Sequence, residues 1–169
     1  MTTSKIIVFG LEFQAALKAA MAVAANKEPF DVIQLRINPT GGDLMVCARD
    51  PQHDLIVIIT VGTTMVDIIA DRDEVIEISK PDARALAAMK VKQLDEEEDP
   101  LVGLIIAEDR ITRTDETGFG LGIRQARVRR ATWAGEPPAL GDVEGMLARA
   151  ADSLPGESGA LTPTQWKKL

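Results

Sequence analysis

The sequence predicts an α+β domain made of a duplicated strand–helix–strands unit, with two helices on one face of antiparallel sheets. The stretch "VIEISKPDARALAAMK" (Val75 to Lys90) repeats "IIVFGLEFQAALKAAM" (Ile6 to Met21) at a constant offset of 69, placing Ile7 on Ile76, Ala16 on Ala85 and Leu17 on Leu86. The same offset continues without a gap, so "VIQLRI" (Val32 to Ile37) falls on "LVGLII" (Leu101 to Ile106). One element order accompanies both copies: a short β-rich run, a helix-forming run, then strands. The competing explanation is a chance match of common Ala, Leu and Ile residues, and the shared order speaks against it.

In the first copy, Lys5 to Phe9 is a β-rich run and Leu11 to Ala25 is dominated by good helix formers. The helical period gathers Phe13, Leu17, Ala20, Met21 and Ala24 on one face and sets Lys18 well away from it, among Ala15, Ala22 and Ala25. Pro29 closes the helical segment. Val32 to Asn38 and Leu44 to Ala48 read as strands joined by "PTGG", with Gly41 and Gly42 free to take positive φ. "DLIVIIT" follows, apolar enough to predict a strand buried on most of its length. Val61 to Ala70 adds another strand, and Asp71 to Asp73 a turn.

In the second copy, Val75 to Ile78 is a strand and Ser79 a helix N-cap, with Pro81 in the first turn and Asp82 three residues on. The helix is expected to run to about Leu94, with Leu86 and Met89 towards the core and Lys80, Arg84 and Lys92 opposite. After the acidic run "DEEED" (Asp95 to Asp99) come "LVGLIIA", "RITRT" and "GLGIRQARVRRATW", three strands parted by turns at Glu108-Asp109 and Glu116-Thr117-Gly118. The domain therefore spans 1–140, with halves at about 4–70 and 74–133. Residues 141–169 read as a linker and the start of a further helix or domain, since "LTPTQWKKL" offers Thr162 as a cap and Pro163 after it.

The totals narrow the function. At 169 residues with 46% hydrophobic and 27% charged residues, the chain has the composition of a soluble globular domain. No apolar run reaches the roughly 18–20 residues that span a bilayer, and "MTTSKIIVFG" is too short and too soon interrupted for a secretory signal. The one cysteine, Cys47, leaves no intramolecular disulfide framework, so a reducing cytoplasm is expected. A net charge of −7 argues against adhesion of the whole surface to nucleic acid or membrane but leaves room for a local basic face. Four Phe, two Trp and no Tyr provide little stacking platform for single-stranded nucleic acid.

Catalytic constellations are hard to find. His53, in "RDPQHD", reads as an exposed turn residue, and Cys47, in "LMVCA", as a small buried apolar one. One His and one Cys do not make a zinc site, no Ser stands in a G-x-S-x-G context, and "GFGLGIR" lacks the spacing of a nucleotide loop. "DEEED" reads as a solvated loop before it reads as a metal site. No enzyme, cofactor or metal is expected. What remains is a sparse strip of cations on the outward faces of the two helices: Lys18, Lys80, Arg84 and Lys92, with Lys27 following the first helix. Each could neutralise a backbone phosphate without reading sequence, or simply be a solvated surface residue.

The order of motifs resembles one domain of a DNA polymerase sliding clamp of the bacterial β type. "FQAALKAAMAVA" resembles the first clamp helix and "NKEPFDVIQLRI" the loop with a basic residue that leads into the next strand, which places Lys27 there. "GDLMVCARDPQHDLIVIITV" is similar to the clamp strand pair, "VIEISKPDARALAAM" to the second strand and helix, and "LIIAEDRITRTDETGFGLGIRQARVRRATWAGEPPAL" to the closing meander. The resemblance covers about Lys5 to Leu140. It implies helices that line the hole of a ring and sheets that form its outside. Its implied partners are non-specific double-stranded DNA, a DNA polymerase and a clamp loader. The chain departs from the pattern at "ARDPQH", which lacks the usual Thr before the Asp and carries an insertion, and its helices hold few cations. A bacterial clamp protomer has three such domains and this chain supplies one, so a ring implies a homo-oligomer or a longer chain. The partner-peptide pocket of β clamps lies mainly in the last domain, and none is assigned here. Two other functions compete: a clamp-fold interaction module of the replication machinery that does not encircle DNA, and a small enzyme with an unrecognised site.

Overall fold

The computed structural model describes residues 4–38, 42–53, 55–67, 74–90, 99–117 and 125–129. Along the chain these form β1 (Ser4–Phe9), α1 (Gly10–Val23), β2 (Val32–Asn38), β3 (Asp43–Asp50), β4 (Leu55–Val61) and β5 (Thr63–Asp67). Then follow β6 (Glu74–Ser79), α2 (Lys80–Ala88), β7 (Leu101–Ile106), β8 (Arg110–Asp115) and β9 (Gln125–Arg129). The strands make two sheets, one ordered β5-β1-β7-β8-β9 and the other β4-β3-β2-β6, with every pairing antiparallel. The α+β class with two helices and antiparallel sheets is the one the sequence predicts.

The two halves of the chain exchange their first strands. β1 leaves β2–β4 and pairs with β7, so that Ile6 meets Leu104 and Val8 meets Val102, while β5 of its own half covers its other edge. Reciprocally, β6 pairs with β2, so that Ile33 meets Ile78 and Leu35 meets Ile76. The strict alternation of strand side chains then puts Ile6, Val8, Leu104 and Ile111 on the inner face of one sheet, and Ile33, Leu35, Val46 and Ile76 on that of the other. Both faces close on the helices in one continuous core.

The face of α1 that the 3.6-residue period selects is the buried one: Phe13, Leu17, Ala20 and Ala24 pack inward together with Ala16, while Met21 is half-buried at the edge. Lys18 is exposed, as expected. Alanine on the inward face lets the helix approach the sheets closely, and at Gly10 the backbone itself is in contact. Gly10 N donates to Pro100 O at 2.7 Å, and a Cβ at this position would lie 2.6 Å from that oxygen.

Helix ends leave backbone groups without partners inside the helix, and each end here finds a different solution. At α2 the cap is local: Ser79 Oγ accepts from Asp82 N at 3.2 Å and donates to the Asp82 carboxylate at 2.7 Å. At α1 the N-cap position is Phe9, which has no capping group. Asp99 from the other half serves instead, its carboxylate accepting from Leu11 N at 2.7 Å and Glu12 N at 3.3 Å. A residue the sequence assigns to a solvated acidic run is therefore a helix cap.

Three expectations need correction. β4, expected to be buried, is an outer strand of its sheet, with Leu55 50% and Ile56 38% exposed. An apolar run alone does not distinguish a central strand from an edge one. α2 ends at Ala88, well short of Leu94, because Met89 turns to extended backbone (φ −63°, ψ 116°). Met89 itself is half-buried and lies outside the inner face. The expected turn at Asp71 to Asp73 and everything from Arg130 onward, including the region 141–169, lie outside the described residues.

Gly10→Ala forces a methyl group against the Pro100 carbonyl and Val102, and a loss of about 1–3 kcal/mol is expected in urea unfolding. Asp99→Ala removes the cap of α1 and is expected to cost about 1 kcal/mol, whereas Asp99→Asn, itself a good cap, keeps most of it. Burial pushes the Cys47 thiol up to about 11 from the ordinary 9.0. Between those two values the unfolded chain binds fewer protons than the folded one. The contribution of Cys47 to stability is therefore expected to fall as pH rises across that window, read as the difference between the native chain and Cys47→Ala.

Candidate nucleic-acid interface

The helices lie antiparallel, as two side-chain links at their opposite ends fix. Gln14 Nε2, early in α1, donates to Met89 O just past the end of α2 at 3.0 Å. Lys80 Nζ, at the start of α2, donates to Asn26 Oδ1 just past the end of α1 at 2.9 Å. The outward surface carries Leu11, Ala15, Lys18 and Ala22 from α1, spaced by three or four residues so that they share a face, and Pro81, Arg84, Ala85 and Ala88 from α2, all exposed.

The five expected contact residues fall as follows. Lys18 and Arg84 stand exposed on the outward helix faces. Lys27 is exposed in the loop after α1, which Ala25 N fastens to Arg49 O of β3 at 3.2 Å. Lys80 is half-buried and tied to Asn26, so it joins the two helices at one end of the layer. Lys92 lies outside the described residues, beyond the end of α2. Lys90, which the sequence reading passed over, is exposed two residues past the helix, beside a shallow groove of about 260 Å³ between Leu11, Gln14 and Met89. Its signal was masked because the helix was expected to continue through it.

The carboxylates on the helices are spoken for. Glu12 accepts from Gly62 N at 3.0 Å, and Asp82 is part of the α2 cap. Among the described residues no ion pair involves Lys18, Lys27 or Arg84, so the layer presents its cations outward. The acids Asp43, Glu108 and Asp109 are exposed in the turn regions of the two sheets.

Elsewhere the chemistry is local. His53 is exposed in the β3–β4 turn, with Nδ1 2.6 Å from Asp50 Oδ2, and this hydrogen bond holds the Asp50 carboxyl below its usual range. Cys47 is fully buried under Met45 and Ile58 on the outer side of its sheet, as the sequence suggests. Among the described residues no group of three or more His, Cys, Asp or Glu is placed to hold a metal ion, and no helix is long and apolar enough to cross a membrane.

No protein-family model matches the chain, and no curated protein matches it in sequence. Among solved structures it is similar to the DNA polymerase III beta subunit of Thermotoga maritima, with a TM-score of 0.59 and 16% identity. The two share the clamp-like α+β fold. The match covers 92% of this chain and 34% of that one, so the chain spans about a third of the subunit's length.

Asp50 gains from its bond to His53 only while ionised. That contribution is expected to be present above the ordinary aspartate value of 3.8 and lost as pH falls through the lower folded value, and Asp50→Asn should abolish the pH dependence.

Proposed function

We propose that this chain is a sliding-clamp-like processivity domain, whose helix layer contacts duplex DNA without sequence preference while the domain tethers a DNA polymerase. The observation that carries the proposal is the layer itself: two antiparallel helices side by side, offering Lys18 and Arg84 among exposed alanines with Lys27, Lys80 and Lys90 at the ends. The shared fold with a DNA polymerase III subunit supports a place beside a polymerase and a clamp loader. Lys92 remains part of the proposed surface on sequence grounds. Such a surface encloses DNA only as part of a larger assembly, so further copies or a longer chain belong to the proposal, and the expected compartment is the cytoplasm.

Lysine and arginine would neutralise backbone phosphates and release counterions, a contribution set by charge and blind to sequence. Few cations on a smooth small-residue surface suit movement along the duplex, because many fixed contacts would hold it in place. Among the described residues the layer has no exposed aromatic on which a base could stack, which favours a duplex over a single strand. The acidic turns of the sheets would repel DNA and leave the helix face as the attractive one. The exposure of His53, paired only locally with Asp50, favours this non-enzymatic role over that of a small enzyme.

The test is duplex affinity by fluorescence anisotropy across a salt series, comparing the native chain with the double variant Lys18→Glu/Arg84→Glu. Both positions are exposed, so the fold should persist by circular dichroism. The double variant is expected to bind at least about tenfold more weakly, with a shallower dependence of log K on log salt by about 2. Unchanged affinity and slope would remove the helix layer as the contact surface.

A further inference from the structure

Arg113 heads the fully buried side chains, with 0% exposure. It lies opposite Leu104 on β7 and Ala126 on β9, and Leu104 belongs to the core, so strand alternation places the guanidinium on the inner face of its sheet. There its Nη1 donates to Leu86 O. This carbonyl belongs to the last turn of α2, where no amide of the helix itself can reach it. α2 has no basic residue in its own last turn, so Arg113 supplies from β8 the cation that a helix C-terminus favours. Asp115, two residues along the same strand and 8% exposed, supports the charge, and although burial lowers the guanidinium to about 10 it remains a cation at neutral pH.

Two further donors, Nε and Nη2, find no acceptor among the described residues. A buried ion with idle donors is a poor way to stabilise a core, since a packed apolar side chain of similar volume is commonly neutral or better. The arginine makes sense as a device for placing α2. We infer that Arg113 is a positioning residue: it fixes the C-terminal end of α2 against the sheet and thereby sets where Arg84, Lys80 and Lys90 stand in the helix layer. Gln14, holding Met89 O from α1, is the second anchor of the same end. The consequence for DNA rests on the function proposed above, whereas the placement of α2 does not.

Arg113→Met in the full chain separates these points, with three readouts: melting temperature, backbone amide exchange and duplex affinity. The expected result is an unchanged or raised melting temperature, amide exchange at Ala87 and Ala88 at least about tenfold faster, and duplex affinity reduced by about threefold or more. Unchanged exchange at the end of α2 overturns the inference. So does a lowered melting temperature with exchange quickened throughout the sheet, which marks an ordinary stabilising contact. A loosened α2 with undiminished affinity overturns the link to the binding surface. If the native chain itself does not bind duplex, the proposed function fails while the exchange result still decides the role of Arg113. Should the Met variant not fold, Arg113→Gln, which keeps an amide donor for Leu86 O, is expected to show intermediate exchange, and native-like exchange there in both α2 and sheet counts against a need for the cation.

Discussion

The structure depends on the pairing of β1 with β7. β1, with β5 along its other edge, enters the sheet of the second half, and β6 returns the exchange by pairing with β2. Neither half can complete its sheet from its own residues, so the halves are committed to each other before any helix is considered. Each helix directly follows an exchanged strand, and the exchange therefore carries α1 and α2 to the same side, where they meet antiparallel across the shared core. The helix layer is a consequence of the strand swap.

The ends of the helices bind this arrangement together chemically. Asp99 of the second half caps α1, and Gln14 of the first half takes the carbonyl of Met89. Arg113 reaches from beneath to Leu86, and Lys80 ties the near end of α2 to Asn26. These contacts draw polar groups inward or along the helix ends. What is left on the outward surface is mostly alanine with Leu11 and Pro81, a few cations and carboxylates already in use. On the function proposed for it, a surface of this kind would attract a polyanion through charge and shape and give it few fixed points of hold.

The fold class and the duplicated order were legible because they reside in local patterns: hydrophobic period, turn residues and a repeated register. The buried face of α1 followed from the spacing of Phe13, Leu17 and Ala20, and the cap at Ser79 from the serine, proline and aspartate in sequence. The features that escaped are non-local. The exposure of Leu55 and Ile56 depends on which strand lies at the sheet's edge, which composition does not encode. Where α2 ends early, the carbonyls of Leu86 and Met89 accept from donors that β8 and α1 bring from far along the chain, and Asp99 looked like one more acid in a charged run. The candidate surface was half legible: Lys18 and Arg84 could be placed by helical period alone, whereas Lys90 could not be placed until the helix end was known.

The most direct measurement is retention of the protein on a closed circular duplex compared with the same duplex linearised, read alongside its mass in solution. A clamp-like assembly that surrounds DNA is predicted to stay on the circle and run off the linear ends. Equal retention on both, or on neither, would contradict it.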